Sequence, residues 1–112
     1  MDKFKIKGGN KLAGKVIVSG SKNAALPIMA ATILAKGKTV LKNIPHLNDI
    51  KMMAHLLRII GARVNFIKNT MEIDTTHCSF YEAPYELVSK MRASVYVLGP
   101  LLARFGKAKV SF

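Results

Sequence analysis

Cysteine is nearly absent from this chain: Cys78 is the single example, and there are three histidines. One cysteine excludes both an intramolecular disulfide and a zinc site built from cysteines. We expect Cys78 to be a partly buried, inert thiol, because the side chain of His77 would point to the opposite face of an extended segment. His46 and His55 have no partner at metal-ligand spacing, so we expect no metal and no cofactor.

Negative charge is also scarce. Six Asp and Glu residues stand against 18 Lys and Arg residues, which gives a net charge of +12. This excess favours anionic partners such as nucleic acid, acidic membranes or phosphorylated small molecules. The basic residues are mostly lysines spread along the whole chain. The five Phe and three Tyr do not interleave with them on a recognisable stacking strand, so we expect no nucleic-acid partner.

Long apolar runs are missing as well. The longest uncharged apolar stretch, residues 24–35, is too short to span a bilayer and contains Pro27. Residues 1–10 lack the apolar centre of a signal peptide. We therefore expect a soluble, cytoplasmic protein with no membrane partner.

What the chain does have is the composition of one small folded domain, since half of its 112 residues are hydrophobic. Periodicity over residues 15–74 predicts the order strand, helix, strand, helix, strand, strand. This βαβαββ order indicates a mixed α/β (α+β) fold, with two helices covering a small mixed sheet. The predicted elements are strands at 4–7 and 15–18, a helix at 23–35, a strand at 38–42, a helix that is capped by Asn48 or Asp49 and ends at Ile60, and strands at 63–67 and 71–74.

A third helical region is expected over residues 84–105, and Gly99 and Pro100 should kink it or divide it. Residues 107–112 then have strand character. The chain stops inside this strand without a turn or a cap, which we interpret as a sign of truncation.

The most informative segment is residues 19–31, where a predicted strand stops at Ser-Gly-Ser and a helix of small residues follows. This junction places Lys22 and Asn23 in the first turn of the helix. Unpaired backbone N–H groups and the positive end of the helix dipole favour an anion there, and Lys22 adds a full charge. One interpretation is a site for a phosphate or carboxylate. The alternative is an ordinary junction with a serine cap and a solvated lysine.

Two separated strings resemble a known enzyme family. Residues 20–27 read Gly-Ser-Lys-Asn-Ala-Ala-Leu-Pro, and residues 91–94 read Met-Arg-Ala-Ser and are extended by residues 98–106. Both strings are similar to the UDP-N-acetylglucosamine 1-carboxyvinyltransferases, and the similarity extends over essentially the whole chain. Shorter matching stretches are residues 7–9, 43–45 and 47–50.

The resemblance implies both an activity and a fold. Enzymes of this family move the enolpyruvyl group of phosphoenolpyruvate onto the 3-hydroxyl of UDP-N-acetylglucosamine and release phosphate. This reaction is the first committed step of bacterial peptidoglycan synthesis. The family folds as an inside-out α/β barrel (an α-β prism) with two similar domains built from βαβαββ units, of which this chain would hold an incomplete set.

By position in the matching motifs, the resemblance assigns Lys22 and Asn23 to phosphoenolpyruvate and Arg92 to UDP-N-acetylglucosamine and the anionic centre. A lysine neutralises phosphate charge, and a guanidinium binds an oxyanion through paired hydrogen bonds. The resemblance assigns no catalytic residue within the chain. The family's general-acid cysteine belongs to a Pro-Gly-Gly-Cys loop that would follow Phe112, and Cys78 occupies a different motif position.

The resemblance therefore describes residues 1–112 as the N-terminal part of such an enzyme, inactive alone, with the remainder of the enzyme as a further partner. Residues 1–20 would hold leading strands, residues 21–76 the first βαβαββ unit, and residues 77–112 the truncated start of the next unit. Two alternatives stay open. One is a fragment of the related 3-phosphoshikimate 1-carboxyvinyltransferase, whose first-helix motif usually reads Asp-Lys-Ser. The other is a small basic nucleic-acid-binding module, suggested by the net charge of +12.

Overall fold

The structure is a computed structural model that describes residues 1–111 and mixes helices with strands. This content agrees with the predicted mixed α/β class, and no closed barrel forms within residues 1–111. The elements are α1 (Lys22–Ala31), β1 (Lys38–Leu41), α2 (Asn48–Ile60), β2 (Arg63–Ile67), β3 (Thr70–Asp74), β4 (Glu82–Ala83), α3 (Tyr85–Val88), α4 (Leu98–Phe105) and β5 (Lys109–Val110). Two 3-10 segments also form, Thr32–Leu34 after α1 and Arg92–Val97 before α4.

Residues 1–20 form no helix and no strand, so the strands predicted at 4–7 and 15–18 are wrong. The apolar side chains of this segment lie open to solvent: Phe4 is 99% exposed and Ile17 is 91% exposed. A strand needs a neighbouring strand to accept and donate its ladder of hydrogen bonds. Strands β1 to β5 pair only with one another, so the leading segment has no such neighbour within residues 1–111.

Strands β1, β3 and β2 form a three-stranded sheet in that order, and both neighbouring pairs are antiparallel. The predicted mixed sheet is wrong, because β3 lies between β1 and β2, so the two strands that α2 connects run parallel but are not hydrogen-bonded to each other. Side chains that alternate along each strand share one inward face. The register places them in two rows, Thr39–Ile73–Val64 and Leu41–Met71–Phe66.

Helix α2 packs against this sheet and against α1, as its apolar periodicity predicts. It ends at Gly61, whose φ of 107° suits glycine. Its start differs from the prediction, because the N-cap position is Leu47, without a side-chain cap, and Asn48 and Asp49 lie inside the first turn. The residues of α2 that form its buried side are Ile50, Met53, Ala54, Leu56, Leu57 and Ile60.

The third helical region is divided at a different place from the one predicted. Helix α3 ends at Val88, Met91 is extended with φ −142° and ψ 106°, and the second 3-10 segment then runs directly into α4. The helix is not interrupted at Gly99 and Pro100, because Pro100 lies in the first turn of α4, where the loss of its N–H is tolerated. The change from the 3-10 segment to α4 falls just before them, at Leu98.

The last described strand is short. Strand β5 pairs in parallel with β4, and the ammonium of Lys109 lies 3.0 Å from the carboxylate of Glu82. Part of the predicted strand at 107–112 is thus confirmed, and Phe112 lies outside the described residues. Within residues 1–111, no helix combines the length and apolar character that crossing a membrane requires.

Candidate anion-binding site

One cavity brings together the three side chains that the sequence predicts for the substrates. Lys22, Asn23 and Arg92 all line a space of about 420 Å³ between the start of α1 and the segment that follows α3. Residues 22 and 92 are far apart in sequence, so their shared cavity is a product of the fold. The other residues that line it are Leu26, Asp49, Lys90, Met91, Ala93, Val95 and Tyr96.

The start of α1 presents donors to this cavity. The Ser21 side chain accepts a hydrogen bond from the Ala24 N–H at 3.4 Å, and the Ser21 carbonyl accepts one from the Ala25 N–H at 2.9 Å. The serine cap of the ordinary-junction interpretation is therefore present. The first amides of the helix, those of Lys22 and Asn23, have no acceptor within the helix itself and carry the positive end of its dipole. The helix start thus has the chemistry that binds an anion.

A close approach fixes where α1 begins. A Cβ on Gly20 would lie 1.7 Å from the Asn43 carbonyl oxygen, so only glycine fits there. The turn that carries Asn43 is held in place by Asn69, whose side-chain amide donates to the Ile44 carbonyl at 2.9 Å. The position of the helix N-terminus is therefore set by contact between two backbone segments, which a sequence motif cannot predict.

The ammonium of Lys22 already has a partner inside the cavity. Its Nζ lies 2.8 Å from Oδ2 of Asp49, which stands in the first turn of α2. The sequence prediction treated Asp49 only as a possible helix cap. Its contact with Lys22 depends on how α1 packs against α2, and no local pattern signals it.

Arg92 lines the cavity from the segment that follows α3. It opens the second 3-10 segment directly after the extended Met91, whose side chain is buried. The hydroxyl of Ser94, itself buried, donates to the Met91 carbonyl at 2.7 Å and closes this turn. The backbone that carries Arg92 is therefore anchored, while the guanidinium side chain stays exposed to solvent.

Four charged groups line the cavity, three cations and one carboxylate. Lys90 is the third cation beside Lys22 and Arg92, and Asp49 is the carboxylate. Lys90 and Tyr96 were not predicted as site residues, since no motif marks them. A net positive cavity next to a helix N-terminus suits a small molecule that carries phosphate or carboxylate groups.

A second cavity lies around Cys78 and has a different character. Cys78 is buried, and this burial raises the pKa of its thiol above the ordinary range, opposed by the nearby charge of Arg104. The Arg104 guanidinium donates to the carbonyls of Ile33 at 3.0 Å and Thr75 at 2.7 Å. The predicted burial of Cys78 is confirmed, and Arg104 joins two backbone segments.

Comparison with known families now defines the class of protein. A sequence model of the EPSP synthase family, described as EPSP synthase (3-phosphoshikimate 1-carboxyvinyltransferase), matches residues 6–112. This match covers nearly the whole chain. The chain belongs to the EPSP synthase family.

Particular relatives within that family are enzymes named UDP-N-acetylglucosamine 1-carboxyvinyltransferase. The one from Chloroherpeton thalassium is 61% identical over 99% of this chain, and the one from Cellvibrio japonicus is 57% identical over 100% of it. The match spans 26% and 27% of those relatives, so this chain covers about a quarter of their length. The resemblance predicted from residues 20–27 and 91–106 is confirmed.

A solved structure is similar as well. The crystal structure of the enolpyruvyl transferase NikO from Streptomyces tendae matches with a TM-score of 0.76 and 29% sequence identity. The match covers 90% of this chain and 24% of that one. Most of the chain therefore has the same fold as part of that enolpyruvyl transferase structure.

Proposed function

We propose that this chain is the N-terminal part of a UDP-N-acetylglucosamine 1-carboxyvinyltransferase. In this proposal Lys22 and Asn23 bind phosphoenolpyruvate, and Arg92 binds the nucleotide sugar and the anionic centre. The complete enzyme transfers the enolpyruvyl group to the 3-hydroxyl of the sugar and releases phosphate. It acts in the cytoplasm in peptidoglycan synthesis, and so in growth of the cell wall, cell shape and division.

The observation that carries this proposal is the shared cavity of Lys22, Asn23 and Arg92. The cavity is lined by Lys22 and Asn23 from the start of α1 and by Arg92 from the segment that follows α3. Phosphoenolpyruvate carries a phosphate and a carboxylate, and UDP-N-acetylglucosamine carries a diphosphate. Two anionic substrates that react with each other need cations placed around one space, and this arrangement supplies them.

The proposal keeps the substrate-binding role separate from the proton chemistry. Cys78 is buried in another cavity, and the rise in its thiol pKa makes the thiolate scarcer at neutral pH. The general acid is therefore assigned to the remainder of the enzyme, and residues 1–112 are proposed to be inactive alone. We also propose that residues 1–20, 21–76 and 77–112 are three segments of that longer enzyme.

The test is to join residues 1–112 to the remaining three quarters of the Chloroherpeton thalassium relative, which matches them at 61% identity. We call this protein the reconstituted enzyme. It should release phosphate from phosphoenolpyruvate when UDP-N-acetylglucosamine is the acceptor. Lys22→Met should lower kcat/KM by about a hundredfold, the size of effect found when one preorganised charge-stabilising donor is removed. Leu102→Met, an exposed change on α4, is the matched control and should leave the rate unchanged.

Three results would contradict the proposal. A reconstituted enzyme that uses 3-phosphoshikimate in place of UDP-N-acetylglucosamine would assign the chain to the shikimate enzyme that gives the family its description. Phosphate release by residues 1–112 alone would place a general acid within this chain. Binding to DNA that weakens steeply with salt, without turnover, would favour the nucleic-acid alternative.

A further inference from the structure

The contact between Lys22 and Asp49 has a role beyond surface pairing. We propose that Asp49 is a positioning residue of the anion site, whose carboxylate holds the Lys22 ammonium at the N-terminus of α1. This inference rests on the proposed function, because it takes Lys22 to be the lysine that meets the phosphate. Asp49 acts through Lys22 and does not itself bind the substrate.

The support under Asp49 is rigid. Asp49 lies in the first turn of α2, where the Lys51 N–H donates to the Leu47 carbonyl at 3.1 Å. The next residue, Ile50, is fully buried, and so is Met53 one turn later. A carboxylate near a helix N-terminus is also favoured by the helix dipole. Packing therefore fixes the backbone that carries Asp49, and the longer lysine side chain is the member of the pair with more rotamer freedom to lose.

The setting of this ion pair differs from that of the two others among residues 1–111. Lys38–Glu72 and Lys109–Glu82 each join neighbouring strands, and their lysine side chains are 57% and 74% exposed. The Lys22 side chain is 41% exposed, and both members of its pair line the cavity that also holds Arg92. This pair therefore belongs to the candidate site.

Asp49 has two opposite effects on an incoming phosphate. Its negative charge repels the phosphate whether or not Lys22 is present. Its hydrogen bond orders the Lys22 side chain and takes one of the three ammonium donors, which leaves two for a ligand. Ordering a long side chain on binding lowers affinity by about twofold to tenfold, and a lysine that is already ordered avoids this loss. The two effects separate when Lys22 is removed.

The first measurement needs no ligand. In side-chain NMR of the 112-residue chain, Asp49→Ala should make the Lys22 ammonium more mobile, and Asp49→Asn should do so less, because an amide oxygen still accepts a hydrogen bond. The matched control is Glu72→Ala, which should loosen Lys38 and leave Lys22 unchanged. A Lys22 ammonium that is equally mobile in wild type and Asp49→Ala would overturn the proposal.

The second measurement is a double-mutant cycle on the affinity of the reconstituted enzyme for phosphoenolpyruvate. In the Lys22→Met background, Asp49→Ala removes only repulsion and should tighten binding. With Lys22 present, Asp49→Ala should be less favourable to phosphoenolpyruvate binding by about twofold to tenfold than it is in the Lys22→Met background. Equal changes in affinity in both backgrounds would overturn the proposal. A larger gain in affinity with Lys22 present would also overturn it, because it would mean that Asp49 competes with the ligand for Lys22.

These measurements also separate the inference from the proposed function. If Lys22→Met leaves the affinity for phosphoenolpyruvate unchanged, the substrate assignment of Lys22 fails. In that case, the NMR measurement of Lys22 mobility still tests whether Asp49 orders the Lys22 side chain. If the affinity falls as proposed but Asp49→Ala behaves alike in both backgrounds, the positioning role fails and the proposed function stands.

Discussion

Residues 4–7 and strand β2 carry the same kind of pattern and have different structures. Phe4 and Ile6 alternate with lysines, as Val64 and Phe66 alternate with Arg63 and Asn65 in β2. Phe4 and Ile6 are 99% and 89% exposed, whereas Val64 and Phe66 pack against the core. The difference is the partner: β2 pairs with β3 along its whole length.

Alternation of apolar and polar residues determines which face of a strand is buried, but it does not provide the neighbouring strand that its backbone hydrogen bonds require. Strand β2 is followed at once by the turn at Lys68, whose φ of 51° reverses the chain, and then by β3. Its partner is therefore next to it in sequence. Residues 1–20 have no partner of this kind within residues 1–111. We expect their apolar side chains to be covered only in the longer enzyme.

Truncating a side chain in the core should reduce stability far more than truncating one in residues 1–20. Leu57 is fully buried, and Leu57→Ala should lower the free energy of unfolding by about 2–5 kcal/mol, because it leaves a cavity. Ile17→Ala removes a side chain that is 91% exposed and should change it by less than about 0.5 kcal/mol. Urea unfolding followed by circular dichroism measures both. Similar losses would break the comparison.

Gly20 lies where the leading segment meets α1, and stability should be sensitive to substitution there. Gly20→Ala places a Cβ against the Asn43 carbonyl and should destabilise the chain by about 1–3 kcal/mol, since backbone must move. Gly8→Ala, with no atom within 4 Å of the added carbon, is the matched control. Equal stability of the two variants in the same urea titration would show that α1 is not held at this contact.

Removing the leading segment should have a smaller effect. Deletion of residues 1–19 keeps Gly20 and the Ser21 cap and removes side chains that are exposed throughout. The midpoint and slope of urea unfolding should therefore stay nearly constant, with a change of about 0.5 kcal/mol or less. A loss of several kcal/mol would mean that the segment packs on the folded body in solution.

Cysteine alkylation compares a buried and an exposed position and disturbs the structure least. Cys78 should react with iodoacetamide at pH 8 at least about tenfold more slowly than a cysteine placed in the leading segment by Leu12→Cys with Cys78→Ser. Burial raises the pKa of the Cys78 thiol, so less thiolate is present at this pH. Its rate should keep rising at a pH where that of the exposed cysteine has levelled off. Equal rates and pH profiles would contradict the burial of Cys78.

Local patterns predicted the elements whose partners lie nearby in sequence. The β2–β3 hairpin and α2 are confirmed. Both were predictable because a turn and a helical periodicity depend on residues that are close in sequence. The third helical region was predicted less well. Helix α3 ends at Val88 and Met91 is extended, and residues 89–91 contain no glycine or proline, so no breaker residue signals the division.

The candidate site was predictable in the same partial way. Lys22 and Asn23 follow from one junction, and Arg92 follows from a motif that resembles a known family. Asp49 could not be found from sequence, because its contact with Lys22 arises where α1 packs against α2. The position of Gly20 under Asn43 is likewise a tertiary contact.

The most direct test of the account is a crystal structure of the reconstituted enzyme with phosphoenolpyruvate. We expect the phosphate to lie within hydrogen-bonding distance of the Lys22 ammonium, at the start of α1, in the cavity that Arg92 also lines. Phosphoenolpyruvate bound elsewhere, with that cavity filled by solvent, would contradict it.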